Sequence, residues 1–246
     1  MINLNVNIDH FATLRNARKE TEPNVVFIAQ TVEMAGASGI VAHLRKDRRH
    51  IKDQDIIDIK NNINTHLNLE MCVDIVDFAC KVKPTVATIV PEEDNELTTE
   101  GGLDVAKNIK TIENVTQKLK DVGIQVSLFI EPDEKQLEAS VKVGADRIEF
   151  NTKYFAIAYK ENNFDNIANE MERMINACEI AIENNLYVAA GHSLNYYNMK
   201  EFAKIIEIEE YNIGHSIVAR STIVGLPNAV KEMLDIIYKV KQFSII

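Results

Sequence analysis

Short apolar runs rich in Val and Ile alternate along the chain with longer stretches whose apolar residues recur at helical spacing. This is the pattern of βαβ units wound around a parallel sheet. Eight rounds can be counted. The predicted strands are residues 4–9 (LNVNID), 40–45 (IVAHLR), 67–72 (LNLEMC), 85–90 (TVATIV), 124–130 (IQVSLFI), 146–150 (DRIEF), 186–192 (LYVAAGH) and 211–216 (YNIGHS). Their nearly continuous apolar character suits strands covered on both faces.

The intervening segments read as helices with recognisable ends. Val26, Ala29, Val32 and Ala35 share one helical face, and Gly36 is the expected stop. Ile109, Ile112, Val115 and Leu119 repeat the design ahead of Gly123, and Asp133 is the expected cap of a helix that closes at Gly144. The longest, residues 165–185, carries Ile167, Met171, Met174, Ile175, Cys178 and Ile182, expected to form a core stripe in which Met fills irregular gaps.

No linker rich in Pro, Gly or Ser divides the 246 residues, so a single domain spanning 1–246 is expected. Eight strand and helix rounds in that length fit an α/β fold of the (β/α)8 TIM-barrel type better than a doubly wound open sheet. No strand is followed by a Rossmann glycine fingerprint or a P-loop.

Composition narrows the partners. With 27 basic and 37 acidic residues the formal charge is −10, which argues against broad binding to nucleic acid or to an anionic membrane, so any anion must be held locally. Cys72, Cys80 and Cys178 are odd in number and form no C-x-x-C pair, which suits a reducing compartment. The first residues, MINLNVNIDH, lack the features of a secretion signal, and no apolar run reaches membrane-spanning length. A cytoplasmic protein is expected.

A TIM barrel delivers its reactive groups at the carboxyl ends of its strands. Strand one ends in Asn7, Asp9 and His10; strand two carries His43 and Arg45; strand three carries Glu70. Strand six supplies Glu149 and Asn151, and strands seven and eight end in His192 and His215. Four of the six histidines thus fall at strand ends, which points to one shared pocket, whereas His66, placed before strand three on the opposite rim, is expected to be an ordinary exposed side chain.

Two stretches suit phosphate. Gly191-His192-Ser193 and Gly214-His215-Ser216 repeat one tripeptide at the ends of strands seven and eight, where barrels bind phosphate through loop amides and a helix N-terminus. The run LRKDRRH (44–50) gathers Arg45, Lys46, Arg48, Arg49 and His50 at a strand exit, where Arg forks could hold a second phosphate. Arg15 and Arg18, in the loop expected after strand one, add candidates. The polar segment 92–102 could close over a substrate.

No Lys lies within the apolar body of a predicted strand, which disfavours an enzyme lysine adduct and leaves carboxylate and imidazole acid–base chemistry. A metal-dependent barrel hydrolase with Asp9, His10, His43, His192 and His215 as ligands is a rival, although the His-x-His pair common on first strands of such barrels is absent. A non-catalytic sugar-phosphate-binding barrel is another.

The motifs VNIDHFATLRNAR (6–18), HLRKDRRHI (43–51), NLEM (68–71), VPEEDNELTTEGGLDVA (90–106), AGHSLNYYN (190–198) and NIGHSIV (212–218) closely resemble the pyridoxine 5'-phosphate synthase family, in order and over nearly the whole chain. The resemblance implies a TIM barrel with extra helices, assembled as a cytoplasmic homo-octamer. It also implies condensation of 3-amino-2-oxopropyl phosphate with 1-deoxy-D-xylulose 5-phosphate, without a cofactor or metal. By similarity His43 and Glu70 are proton acceptors, His192 the proton donor and Glu149 a stabiliser of the transition state. Asn7, Arg18, Gly214 and His215 match positions that hold the aminoketone phosphate. Asp9, His10, Arg45, His50 and Thr98 match those that hold the sugar phosphate. Ser193 departs from the family's usual Gly-His-Gly, which puts in question the positive φ that a glycine there would permit.

Overall fold

All eight predicted strands form, with end points shifted by at most three residues, in a computed structural model that describes residues 2–92 and 101–244. They are β1 (Asn3–Asn7), β2 (Gly39–Leu44), β3 (His66–Met71), β4 (Val86–Ile89), β5 (Gln125–Ile130), β6 (Arg147–Asn151), β7 (Tyr187–Gly191) and β8 (Glu210–Ile213). Every neighbouring pair is parallel, and β8 pairs back onto β1 through Leu4 and Tyr211, which closes the barrel.

Around it run α1 (Asp9–Arg18), α2 (Val25–Met34), α3 (Asp53–Asn62), α4 (Val76–Val82), α5 (Ile109–Asp121) and α6 (Glu134–Lys142). They are followed by α7 (Lys153–Lys160), α8 (Phe164–Glu183), α9 (Met199–Phe202), α10 (His215–Val224) and α11 (Leu226–Ser244). Among the described residues β1, β6 and β8 are each followed by two α-helices, which supply the extra helices of the TIM barrel.

The expected helix ends are in place. Asp133 accepts a hydrogen bond from Gln136 N at 2.9 Å, and the chain turns left-handed at Gly36, Gly123 and Gly144. Alternation along the strands sorts residues to two sides. Leu4, Val6, Ile40, Ala42, Leu44, Leu67 and Leu69 enter the apolar layer beneath the helices. Each such fully buried Leu or Ile contributes about 1.5–3 kcal/mol by leaving water. Alternating with such apolar residues along their strands, Asn5, Asn68, Thr88, Glu149 and Asn212 are buried and polar, and they bond within the barrel interior: Thr88 Oγ1 donates to Asn68 Oδ1 (2.8 Å) and Asn5 Nδ2 to Asn212 Oδ1 (3.0 Å).

Three expectations need correction. Ile182 does not join the core stripe of α8; it is 47% exposed because it lies outside the arc that buries Met174 and Cys178. Arg15 and Arg18 stand on α1 and not in a loop; the Arg15 guanidinium forks onto Asp55 with two 2.8 Å bonds and is buried by that pairing. His66 is not an ordinary exposed residue. It opens β3 and is half-buried, with Nε2 3.9 Å from Glu210 Oε2, the same oxygen that takes a 2.6 Å bond from Arg147. Arg147 in turn lies 3.9 Å from the centre of the Tyr187 ring, so this end of the barrel is closed by an ionic and aromatic layer.

Candidate active site

The strand ends open into a cavity of about 510 Å³ whose wall includes Asn7, Asp9, His10, His43, Arg45, His50, Glu70, Glu149, His192, Ser193, Gly214 and His215. Five of the six histidines therefore share one space. Two residues expected at the site are not part of this wall: Arg18 is exposed at the end of α1, and Asn151, buried at the end of β6, donates to Glu131 Oε1 at 2.7 Å. Thr98 and most of segment 92–102 lie outside the described residues.

β2 and β3 place His43 and Glu70 side by side in register, with Nδ1 3.9 Å from Oε2. Asn7 Nδ2 approaches the same Glu70 oxygen at 3.5 Å. The Asp9 carboxylate is tied to the barrel by the backbone N–H of His43 (2.9 Å), while Asn7 Oδ1 accepts from Asp9 N (2.9 Å). Opposite them, Asn212 Nδ2 donates to Glu149 Oε2 at 2.7 Å. Where β1 and β8 meet at the same cavity, the rings of His10 and His215 meet edge to face, centres 5.3 Å apart.

Burial controls the protons. It pushes Asp9 up to about 7, against the bonds from His43 N and Asn7. It raises Glu70 well above the usual carboxylate range, helped by the charges of Glu149 and Asp9, and it raises Glu149 as well. Burial first, then His50 and Arg45, pushes His43 down to about 3, so its imidazole is neutral. His50 falls to about 4, through burial and then Arg45. Its Nδ1 accepts from Ile51 N at 2.9 Å, which assigns the ring proton to Nε2. The pocket thus combines neutral imidazoles with carboxyl groups that hold protons near neutral pH, a set able both to accept and to donate.

The basic run of 44–50 is mostly self-compensated. Arg48 forks onto Asp53 (3.0 and 3.0 Å), Arg49 pairs with Asp47 (2.6 Å) and Lys46 with Asp74 (2.5 Å), which leaves Arg45 and His50 as its members in the cavity wall. The two Gly-His-Ser tripeptides also differ. Gly214 is the N-cap of α10, so the first-turn amides of that helix face the rim, whereas Gly191 ends β7 and is followed by His192 and Ser193 in left-handed backbone with no helix directly behind. At Gly191 the missing side chain serves Glu149 and not an anion: a Cβ there would collide with Glu149 Oε1.

Sequence reasoning missed Asn5, Asn212 and Phe129. Asn212 orients Glu149, Asn5 orients Asn212, and Phe129 packs its ring 6.2 Å from that of His192. The available signal was parity, since Asn5 and Asn212 share the strand face of Asn7 and Gly214. Among the described residues one trio, Asp9, His43 and Glu70, brings possible metal donors within 4.8 Å of one another; His10, His192 and His215 do not join it. No Lys is among the described residues that line the cavity.

Eight parallel strands with imidazoles and carboxyl groups converging at their carboxyl ends define a (β/α)8 barrel equipped for acid–base chemistry. The chain belongs to the PdxJ family: the family model described as pyridoxal phosphate biosynthesis protein PdxJ matches residues 4–239. A relative from Geotalea uraniireducens (strain Rf4), named pyridoxine 5'-phosphate synthase, is 46% identical over 239 residues, covering 96% of this chain and 99% of its own. One of the same name from Idiomarina loihiensis is 47% identical over 242 residues, 98% and 99% of the two chains. The fold alone is shared with a 3-hexulose-6-phosphate synthase, at TM-score 0.62 and 15% identity over 96% of this chain and 100% of that one.

Proposed function

We propose that the protein is a pyridoxine 5'-phosphate synthase that joins 3-amino-2-oxopropyl phosphate to 1-deoxy-D-xylulose 5-phosphate. The observation that carries this reading is the convergence of His43, Glu70, His192 and Glu149 on one cavity in a chain of the PdxJ family. Two phosphate-bearing substrates call for two anion sites. The rim formed by Asn7, Gly214, His215 and the start of α10 suits the aminoketone phosphate, and Arg45 and His50, beside Asp9 and His10, suit the sugar phosphate.

The substrate amine attacks the ketone of the sugar phosphate, and water leaves as the carbon–nitrogen double bond forms. The Schiff base joins two substrates, so no enzyme lysine is required. Enolisation, loss of inorganic phosphate, carbon–carbon closure and loss of water follow, each with a proton transfer. Neutral His43 accepts the first proton. Glu70 starts protonated, gives its proton to a departing oxygen and then accepts in its turn, while His192 donates from the opposite wall. Glu149, oriented by Asn212 and holding its proton near neutral pH, stabilises the transition state of closure by hydrogen bonding. Holding both reactants in one cavity replaces a bimolecular encounter with an oriented one. No cofactor or metal enters this scheme.

Large exposed apolar side chains, among them Phe27 (70%), Phe164 (78%) and Ile223 (77%), leave surface for the homo-octamer that the family resemblance implies. Among the described residues no helix is long and apolar enough to cross a membrane, and the reading places the enzyme in the cytoplasm. Mixing the two substrates with the protein tests the function: a new pyridine absorbance with release of inorganic phosphate is expected, and its absence leaves a barrel that only binds sugar phosphates.

A further inference from the structure

Where β2 leaves the barrel, two donors are held by an internal carboxylate. Both oxygens of Glu92 accept from the backbone N–H of Lys46, at 2.9 and 3.2 Å, and Oε1 lies 3.6 Å from a terminal nitrogen of Arg45. Arg45 is only 2% exposed, yet it belongs to the cavity wall beside His50. Asp47, a further carboxylate 3.6 Å from Arg45, is also engaged by the Arg49 side chain at 2.6 Å and the Arg49 N–H at 3.0 Å. The Cys72 thiol also faces Glu92, and burial keeps that thiol protonated.

A backbone N–H beside a guanidinium is the donor set that recognises carboxylate and phosphate oxygens alike. We propose that the Glu92 carboxylate is an internal substitute for the substrate phosphate: it compensates Arg45 and Lys46 N–H while the cavity is empty, and it leaves them when a phosphate arrives. The exchange sets one anionic group against the nearly fully buried guanidinium in place of another, so no counter-charge is lost when a phosphate arrives. It also forces a choice, because a phosphate dianion and the Glu92 carboxylate repel each other and compete for the same donors. Glu92 is therefore a positioning residue that lowers affinity for free anions. A ligand held by further contacts in the cavity displaces it, and bare phosphate does so less well. The inference rests on the reading that Arg45 holds the sugar phosphate.

Titration calorimetry with inorganic phosphate on the intact protein tests both levels, using wild type, Glu92→Gln, Glu92→Ala, Arg45→Gln and the Arg45→Gln/Glu92→Gln double variant. Removing an internal competitor raises the competent fraction, so each Glu92 variant is expected to bind phosphate about three- to tenfold more tightly, and the gain is expected to vanish in the Arg45→Gln background. A crystal structure of the wild-type phosphate complex is expected to show Glu92 away from Lys46 N. Phosphate binding that depends on Arg45 but is unchanged or weakened in both Glu92 variants overturns the proposal alone. So does a complex with phosphate on Arg45 and Glu92 still bonded to Lys46 N, because mere repulsion at a distance predicts that arrangement. Phosphate affinity untouched by Arg45→Gln removes the reading of Arg45, and the proposal with it.

Discussion

His43 and Glu70 are register partners on adjacent strands, with Nδ1 and Oε2 3.9 Å apart, close enough to act on one substrate atom and too far to bond each other. The separation leaves both groups available to a ligand. Replacing His43 by Ala is expected to lower kcat by roughly 10²- to 10⁴-fold, the usual contribution of a positioned acid or base. Steady-state rates at saturating substrate check this, and a near-normal kcat takes His43 out of the proton transfers.

Arg45 acts on binding more than on turnover if it holds a phosphate remote from the reacting carbons. Arg45→Ala is therefore expected chiefly to raise KM for the sugar phosphate, because an interaction present in both ground and transition states is lost. Measuring both kinetic constants decides the matter. A fall in kcat with an unchanged KM means that Arg45 is misassigned.

Asp9 should make stability fall with rising pH. Its folded value of about 7 lies above the ordinary aspartate value of 3.8, so between those limits the folded state holds a proton that the unfolded state has lost. The contribution of this group is most favourable below pH 4, declines through the window from 4 to 7 and is flat above it. Asp9→Asn removes the penalty and keeps an acceptor for the His43 N–H. At pH 8 the variant is expected to be more stable by roughly 1–3 kcal/mol, with no such gain at pH 4. Urea unfolding at the two pH values reads the difference, and an equal effect at both excludes ionisation as the cause.

Gly191 matters for what it leaves vacant. An added Cβ would collide with Glu149 Oε1, and Glu149 cannot easily retreat while Asn212 holds its other oxygen at 2.7 Å. Gly191→Ala is expected to lower kcat by up to about 10²-fold through a displaced carboxylate, while circular dichroism stays native. Combined with Glu149→Gln, it should add little, since both changes disable one group. Full additivity would mean that Gly191 acts through something else.

The barrel was legible because alternating apolar runs and helical stretches are local patterns, and the strand-end histidines followed from it. What escaped depended on partners remote in sequence. The end of the barrel at which His66 stands is legible from its position before strand three, but its partial burial arises beside Glu210 on β8 and the Arg147 that bonds Glu210 from β6. The run 44–50 reads as basic, yet Asp47, Asp53 and Asp74 cancel most of it. Asn5 and Asn212 sit inside apolar runs, where a single Asn carries no sign that its partner is across the barrel. The tripeptide at Gly191 suggests phosphate, but the space beside that glycine is filled by Glu149 from β6, a partner remote in sequence.

Ser193 gives the last test. Its φ of 61° lies in the left-handed region that a glycine enters freely, and its carbonyl is held there by Asn198 Nδ2 at 3.1 Å. The positive φ is thus kept despite the side chain. A residue with a Cβ pays about 1–2 kcal/mol for that conformation, and glycine offsets part of the gain by losing about 0.5–1 kcal/mol more entropy on folding. Because the Ser193 side chain is exposed, little packing is at stake. Ser193→Gly is therefore expected to stabilise the protein by up to about 1 kcal/mol, read as a higher urea midpoint at unchanged slope. Ser193→Ala, which keeps the Cβ, should show no gain. A destabilised glycine variant would mean that the turn is held by the serine hydroxyl and not merely tolerated by the backbone.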